Sequence, residues 1–254
     1  MNIRLVICFC LLLIIGAFAK KSRVFGGPLA SISDFPHLVS IRIISTNELL
    51  CGGSIISRWN ILTAAHCFLG LNNTYNDVKI VSGAGTLLNI YSDVHDIDYI
   101  IAHPQFRYNI HRLLIHDVAI VKLRRPIYMN ELQSIIPLAS RPARTENVAL
   151  IAGWGTTPDT EGQLNFTLLR MTTGIIVDNI QCAAYFPVSL QNYQFCTLNP
   201  ADVVICAGDS GNSVTIDGEL YGIVSYTLRG ARNAPVVHSQ VYYYLDFIRR
   251  NMIE

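Results

Sequence analysis

Three short segments of this chain carry side chains able to make and break covalent bonds. In Thr63-Ala64-Ala65-His66-Cys67 an imidazole stands beside a thiol. Such a pair can hold a metal ion, or the ring can be a satisfied core histidine, and by itself the segment favours the second. In His116-Asp117-Val118-Ala119-Ile120-Val121-Lys122-Leu123 an acid opens an apolar run. Taken alone, that is a strand start. Gly208-Asp209-Ser210-Gly211-Asn212 sets a hydroxyl among glycines, which is ordinarily a turn. A base, an acid and a hydroxyl are also the parts of an activated nucleophile, because a serine hydroxyl is weak without a base to take its proton.

Residues so far apart in sequence meet only if a rigid scaffold carries them. The runs His37–Ile44, Gly53–Ile56, Val78–Val81, Val118–Leu123, Val148–Gly153 and Tyr221–Ser225 are rich in Val and Ile and are bounded by Gly, Pro, Asn and Asp. They read as short strands. Helical periodicity is strong at the end, over Tyr243–Met252, where Leu245, Ile248 and Met252 share a face. Ile127–Asn147 contains Pro137 and Pro142 and reads as a linker. The pattern is all-β, of barrels or sandwiches with a C-terminal helix.

The bulk numbers set wider bounds. The 254 residues suit one large β domain or two small ones, and 51% hydrophobic against 15% charged residues allows a sizeable core. A net charge of +1 gives no reason to expect nucleic acid as a partner. Arg4, the apolar run Leu5–Ile15 and Ala17-Phe18-Ala19 follow the order of a cleaved secretory signal over residues 1–19, and the run is short of the roughly 20 residues of a membrane span. A secreted product, with no membrane partner, is expected. Cys8 and Cys10 would leave with the signal. Cys51, Cys67, Cys182, Cys196 and Cys206 remain, an odd number that cannot all pair within the chain. Asn72-Asn73-Thr74 and Asn165-Phe166-Thr167 are acceptor patterns for N-glycosylation.

The order His66, Asp117, Ser210 resembles the chymotrypsin-type arrangement, and the sequence is similar to the trypsin/chymotrypsin serine-protease family from Arg23 to about Met252. Arg23-Val24-Phe25-Gly26-Gly27, Cys51-Gly52-Gly53-Ser54, Gly153-Trp154-Gly155 and Gly222-Ile223-Val224-Ser225-Tyr226 fit it as well. The resemblance implies two antiparallel six-stranded β-barrels with the site in the cleft between them, and no cofactor or metal. It implies that His66 takes the proton of Ser210 while Asp117 orients the ring, and that the N–H groups of Gly208 and Ser210 form the oxyanion hole. Ser225 would support Asp117 and, with Tyr226, meet the substrate backbone. Residues 20–23 would be an activation peptide. Cleavage after Arg23 would free Val24 to pair with Asp209 in a peptidase domain spanning 24–254. Disulfides Cys51–Cys67 and Cys182–Cys196 are implied in the same way, although four cysteines by themselves allow three pairings. Expected partners are protein or peptide substrates, an activating trypsin-like protease and protein inhibitors.

Several positions depart from the family pattern. Val204 stands where trypsin-like members carry the aspartate that binds Lys or Arg, and Thr227 and Val236 stand where the pocket walls are often glycine. The filled pocket resembles that of elastase-like members and implies a small or apolar P1 residue. Cys206 lacks its usual bridging partner in Thr227-Leu228-Arg229-Gly230-Ala231, and Arg229 is placed near the pocket mouth. Asn212 replaces a glycine after the nucleophile. Asparagine is the non-glycine residue most tolerant of positive φ, so the backbone is expected to survive. Residues 76–93 hold no clear acidic calcium loop, and calcium is not expected. A second reading, a catalytically weak or inactive serine-protease homologue acting as a binding module, follows from the same departures.

Overall fold

The computed structural model describes residues 27–71, 75–89, 92–109, 111, 113–155, 157–158, 164–165, 168–186, 190–200, 205, 208–228 and 234–253. The expected signal and activation peptides, Arg23, Val24, Asn72, Val204, Cys206 and Arg229 lie outside the described residues. In chain order the strands are β1 (Leu38–Ile43), β2 (Leu49–Ile55), β3 (Asn60–Thr63), β4 (Val78–Ser82), β5 (Asp93–Ala102), β6 (Arg107–Tyr108), β7 (Leu114–Ile115) and β8 (Ala119–Leu123). After a long connection come β9 (Val148–Gly153), β10 (Thr157–Pro158), β11 (Leu164–Asn165), β12 (Arg170–Val177), β13 (Gln194–Leu198), β14 (Ser213–Ile216), β15 (Glu219–Thr227) and β16 (Val236–Gln240). Two short helices, α1 (Asn179–Ala183) and α2 (Leu245–Asn251), complete the fold.

The strands close into two antiparallel six-stranded barrels, ordered β1-β2-β3-β8-β5-β4 and β12-β13-β16-β15-β14-β9. Closure removes the free edges that such short strands would otherwise expose. β8 is buried along its whole length, and its Val121 and Leu123 join Val39, Ile41, Ile61 and Ile80 in the first core. The second core is built from Ala149, Ile151, Phe195, Val214, Tyr221 and Val224. Leu38 of β1 packs with Ala152 of β9 and the buried Trp154, so a third apolar cluster fastens one barrel to the other.

The expected linker 127–147 is strapped to both barrels. Ile136 N donates to Ile55 O at 3.0 Å, and Ala139 N donates to Leu220 O at 3.1 Å. Its prolines have no N–H to give a ladder, which keeps the segment out of the sheets. α2 begins two residues later than the periodicity predicts, after a 3-10 turn at Val241–Tyr244, and it buries Ile248 against the first core. Among the described residues no helix is long and apolar enough to cross a membrane.

Candidate active site

Strand register brings the first two reactive side chains together. β3 runs antiparallel to β8 with Thr63 opposite Ala119. Three residues beyond Thr63, His66 stands on the 3-10 turn Ala65–Phe68, and two residues before Ala119 stands Asp117. The turn is tied back to β2 by the Cys51–Cys67 disulfide. Asp117 is 2% exposed, and its carboxylate accepts from three donors. Oδ1 accepts the His66 backbone N–H at 2.9 Å, Oδ2 takes His66 Nδ1 at 2.7 Å, and Oδ2 also accepts the Ser225 hydroxyl at 2.5 Å. A carboxylate only accepts, so Nδ1 carries the proton and Nε2 keeps the lone pair of a base. The Ser239 hydroxyl donates to Asp117 O at 2.7 Å. Ser225 and Ser239 sit on β15 and β16, so the second barrel holds the acid of the first.

The residue before the acid is under constraint too. His116 has φ +49°, and its ring lies 4.2 Å from that of Tyr193 and 4.7 Å from that of His103, centroid to centroid. His116 Nδ1 is 3.2 Å from the Tyr244 hydroxyl. Burial foremost, with His103 and Arg107 adding to it, lowers the His116 pKa to about 4. The ring is therefore neutral at pH 7 and puts no charge beside Asp117.

Ser210 lies on the turn leading into β14. Gly52 N of β2 donates to Ser210 O at 2.8 Å, and Gly211 N donates to Val224 O at 2.8 Å, so both barrels hold the turn. Gly211 has φ +81°, and a Cβ there would stand 2.4 Å from Gly52 O and 2.3 Å from Thr63 Oγ1. No other residue fits that approach. Gly208, at φ +93°, turns the chain before it. Among the described residues, the N–H groups of Gly208 and Ser210 have no intramolecular acceptor. The Asp209 carboxylate, 9% exposed, accepts Gly155 N–H at 2.8 Å.

The remaining positions fall on the two strands beside the turn. Tyr226 is half-buried, with its ring edge-on to Phe186, and burial pushes its phenol up to about 12. Thr227 is the register partner of Val236, and Thr227 Oγ1 donates to Pro235 O at 3.1 Å. Val236, 3% exposed, belongs to the second core together with Phe195 and Val224. Cys182 is bridged to Cys196. Cys51 Sγ, Cys67 Sγ and a His66 ring nitrogen lie within 4.8 Å of one another, but both sulfurs are spent in the disulfide and offer no thiolate to a metal. Asn212 differs from expectation. Its φ is not positive, so tolerance of left-handed backbone is not what admits it. Its N donates to Asp209 O at 3.2 Å and its O accepts from Val224 N at 3.0 Å, as an ordinary strand entry. The sequence shows no sign of Ser239 as part of the site, and it assigns no role to Thr63 or His116 although both stand in the segments that carry His66 and Asp117. Ser239 matters through one hydroxyl, and no local pattern marks such a serine on a strand.

Comparison with known proteins identifies the family and the fold. The family profile described as Trypsin matches residues 24–248. Chymotrypsin-2 of Vespa crabro is 30% identical over 231 residues, covering 91% of this chain and 100% of that one. Trypsin-3 of Homo sapiens is 28% identical over 242 residues, 91% of this chain and 73% of its own length. The structure of neuropsin, a serine protease expressed in the limbic system of mouse brain, superposes with a TM-score of 0.79 at 22% identity, covering 89% of this chain and 99% of that one. Two barrels meeting at a buried carboxylate, over a sequence matched from 24 to 248, place the chain in the trypsin family: it is a serine endopeptidase.

Proposed function

We propose that the chain is made as a secreted precursor, is switched on by cleavage after Arg23, and then hydrolyses peptide bonds that follow small or modest apolar residues. Ser210 attacks the carbonyl carbon of the scissile bond while His66 Nε2 takes the hydroxyl proton. The protonated ring returns that proton to the leaving amine, and an acyl-enzyme on Ser210 remains. Water, deprotonated by His66, then releases the acid and restores the serine. Asp117 holds the ring in the required tautomer and stabilises its cation. The N–H groups of Gly208 and Ser210 receive the oxyanion, and losing one such donor costs about 3 kcal/mol of transition-state stabilisation.

The observation that carries the reading is the 2.7 Å contact between His66 Nδ1 and Asp117 Oδ2, which leaves Nε2 as the base. The P1 preference is supported by valine at 204, where no carboxylate meets a basic side chain, and by Thr227 and Val236, which stand opposite each other on β15 and β16. One methylene in such a pocket changes discrimination by about 1–3 kcal/mol, so the preference is graded. The test is digestion of a mixed peptide library by the processed enzyme, with cleavage sites read by mass spectrometry. Cuts after Ala, Val or Leu that vanish in Ser210→Ala support the reading. Cuts chiefly after Lys or Arg would sink the pocket assignment, and a folded, processed chain that cuts nothing would favour the binding module.

A further inference from the structure

Asn212 is fully buried, and neither its amide nitrogen nor its amide oxygen has a hydrogen-bond partner among the described residues. A buried amide with no protein partner is costly to keep unless it serves something nearby. The space it fills depends on two missing methyl groups. A Cβ on Gly52 would stand 1.7 Å from Asn212 Oδ1, and one on Gly153 would stand 2.2 Å from Asn212 Nδ2. That second point is also 2.3 Å from Asp209 Oδ1, so amide and carboxylate face each other across the gap at Gly153. A carboxylate repels the amide oxygen and attracts the N–H group, which fixes the orientation of the amide with Nδ2 towards Asp209. Asn212 also reaches Asp209 through the main chain, its N–H donating to Asp209 O at 3.2 Å.

We propose that Asn212 is a positioning residue for the Gly208–Ser210 turn. Without a hydrogen bond, the positive end of its amide dipole faces the Asp209 carboxylate that accepts the Gly155 N–H, and together they hold the turn near its working shape before any cleavage after Arg23. The uncleaved chain therefore carries a partly working site. After cleavage the Val24 ammonium is the stronger partner of Asp209, and the amide matters less. The inference rests on the reading of Ser210 as nucleophile.

The experiment compares fluorophosphonate labelling rates at Ser210 in two series of full-length protein. One carries Arg23→Gln and stays uncleaved; the other is processed at Arg23. Asn212→Leu keeps the bulk and loses the donor. It is expected to lower the uncleaved rate by about tenfold or more and the processed rate by less than about threefold. Asn212→Gly, which removes bulk and donor together, is expected to show the same split, so a poorly folded leucine variant does not decide the matter. Equal losses in both series, or none in either, would overturn the inference. So would an unlabelled uncleaved wild-type chain beside a labelled processed one. An unlabelled Ser210 in processed wild-type protein would overturn the nucleophile assignment itself, and this inference with it.

Discussion

Asp117 gathers three donors on one buried carboxylate, two from His66 and one from Ser225. Asp117→Asn would replace one acceptor oxygen with an N–H group and turn the imidazole to the wrong tautomer. We expect kcat to fall by about 10⁴-fold with little change in KM, measured on the peptide found in the library digest. Ser225→Ala removes one charged hydrogen bond and is expected to lower kcat by about tenfold. A Ser225→Ala enzyme with unchanged kcat would show that the contact does not orient the acid. Two buried histidines set a separate, acid-side limit on stability. Burial lowers His37 to about 4 and His238 to about 3. Both rings are neutral in the fold, whereas an unfolded chain protonates them below about 6.5. Their contribution is full above that value and is lost as pH falls towards 4, because the unfolded state then binds more protons. Thermal melts at pH 7 and pH 4.5 should show a lower midpoint at 4.5, and NMR should show both rings neutral at pH 5. A charged His238 at pH 5 would contradict the burial argument.

At the scale of elements, the site is a consequence of pairing. β3 against β8 sets His66 beside Asp117, and β15 with β16 brings the Ser225 hydroxyl to its carboxylate and the Ser239 hydroxyl to its main-chain carbonyl. The strands that the sequence marks clearly are those with dense Val and Ile, and Val148–Gly153 matches β9 residue for residue. β5 carries no such mark. Asp93, Asp96 and Asp98 punctuate it and face outwards, so the hydrophobic pattern that reveals β8 is absent although the two strands pair. Closure into two barrels was legible through resemblance alone, since periodicity finds strands and does not say which ones pair. The same limit hid the role of Asn212: its neighbours Gly52 and Gly153 are distant in sequence and meet only in the fold. α1 and β13 are joined by Cys182–Cys196, at a sequence separation of 14. Replacing both cysteines with serine should cost about 3 kcal/mol, read as a drop in the urea midpoint, because the unfolded chain loses a loop constraint of that size. An unchanged midpoint would mean that the loop is held by its other contacts.

For the whole molecule, two features at opposite ends of the proposed reaction are in tension. The proposed activation is a cut after Arg23, and the proposed pocket, with valine at 204 in place of an aspartate, offers no charge to receive an arginine. The precursor should therefore stay uncut on prolonged incubation when purified alone and be processed rapidly by a trypsin-like enzyme. Spontaneous cleavage after Arg23 that disappears in Ser210→Ala would contradict this. The most direct test of the account is to process the precursor after Arg23, remove the activating protease, expose the product to a fluorophosphonate and locate the adduct by mass spectrometry. One adduct per molecule is expected, on Ser210, absent from Ser210→Ala and strongly reduced in His66→Ala. A processed, folded protein that gains no adduct, or gains it on another residue, would contradict the assignment of Ser210 as nucleophile and His66 as base.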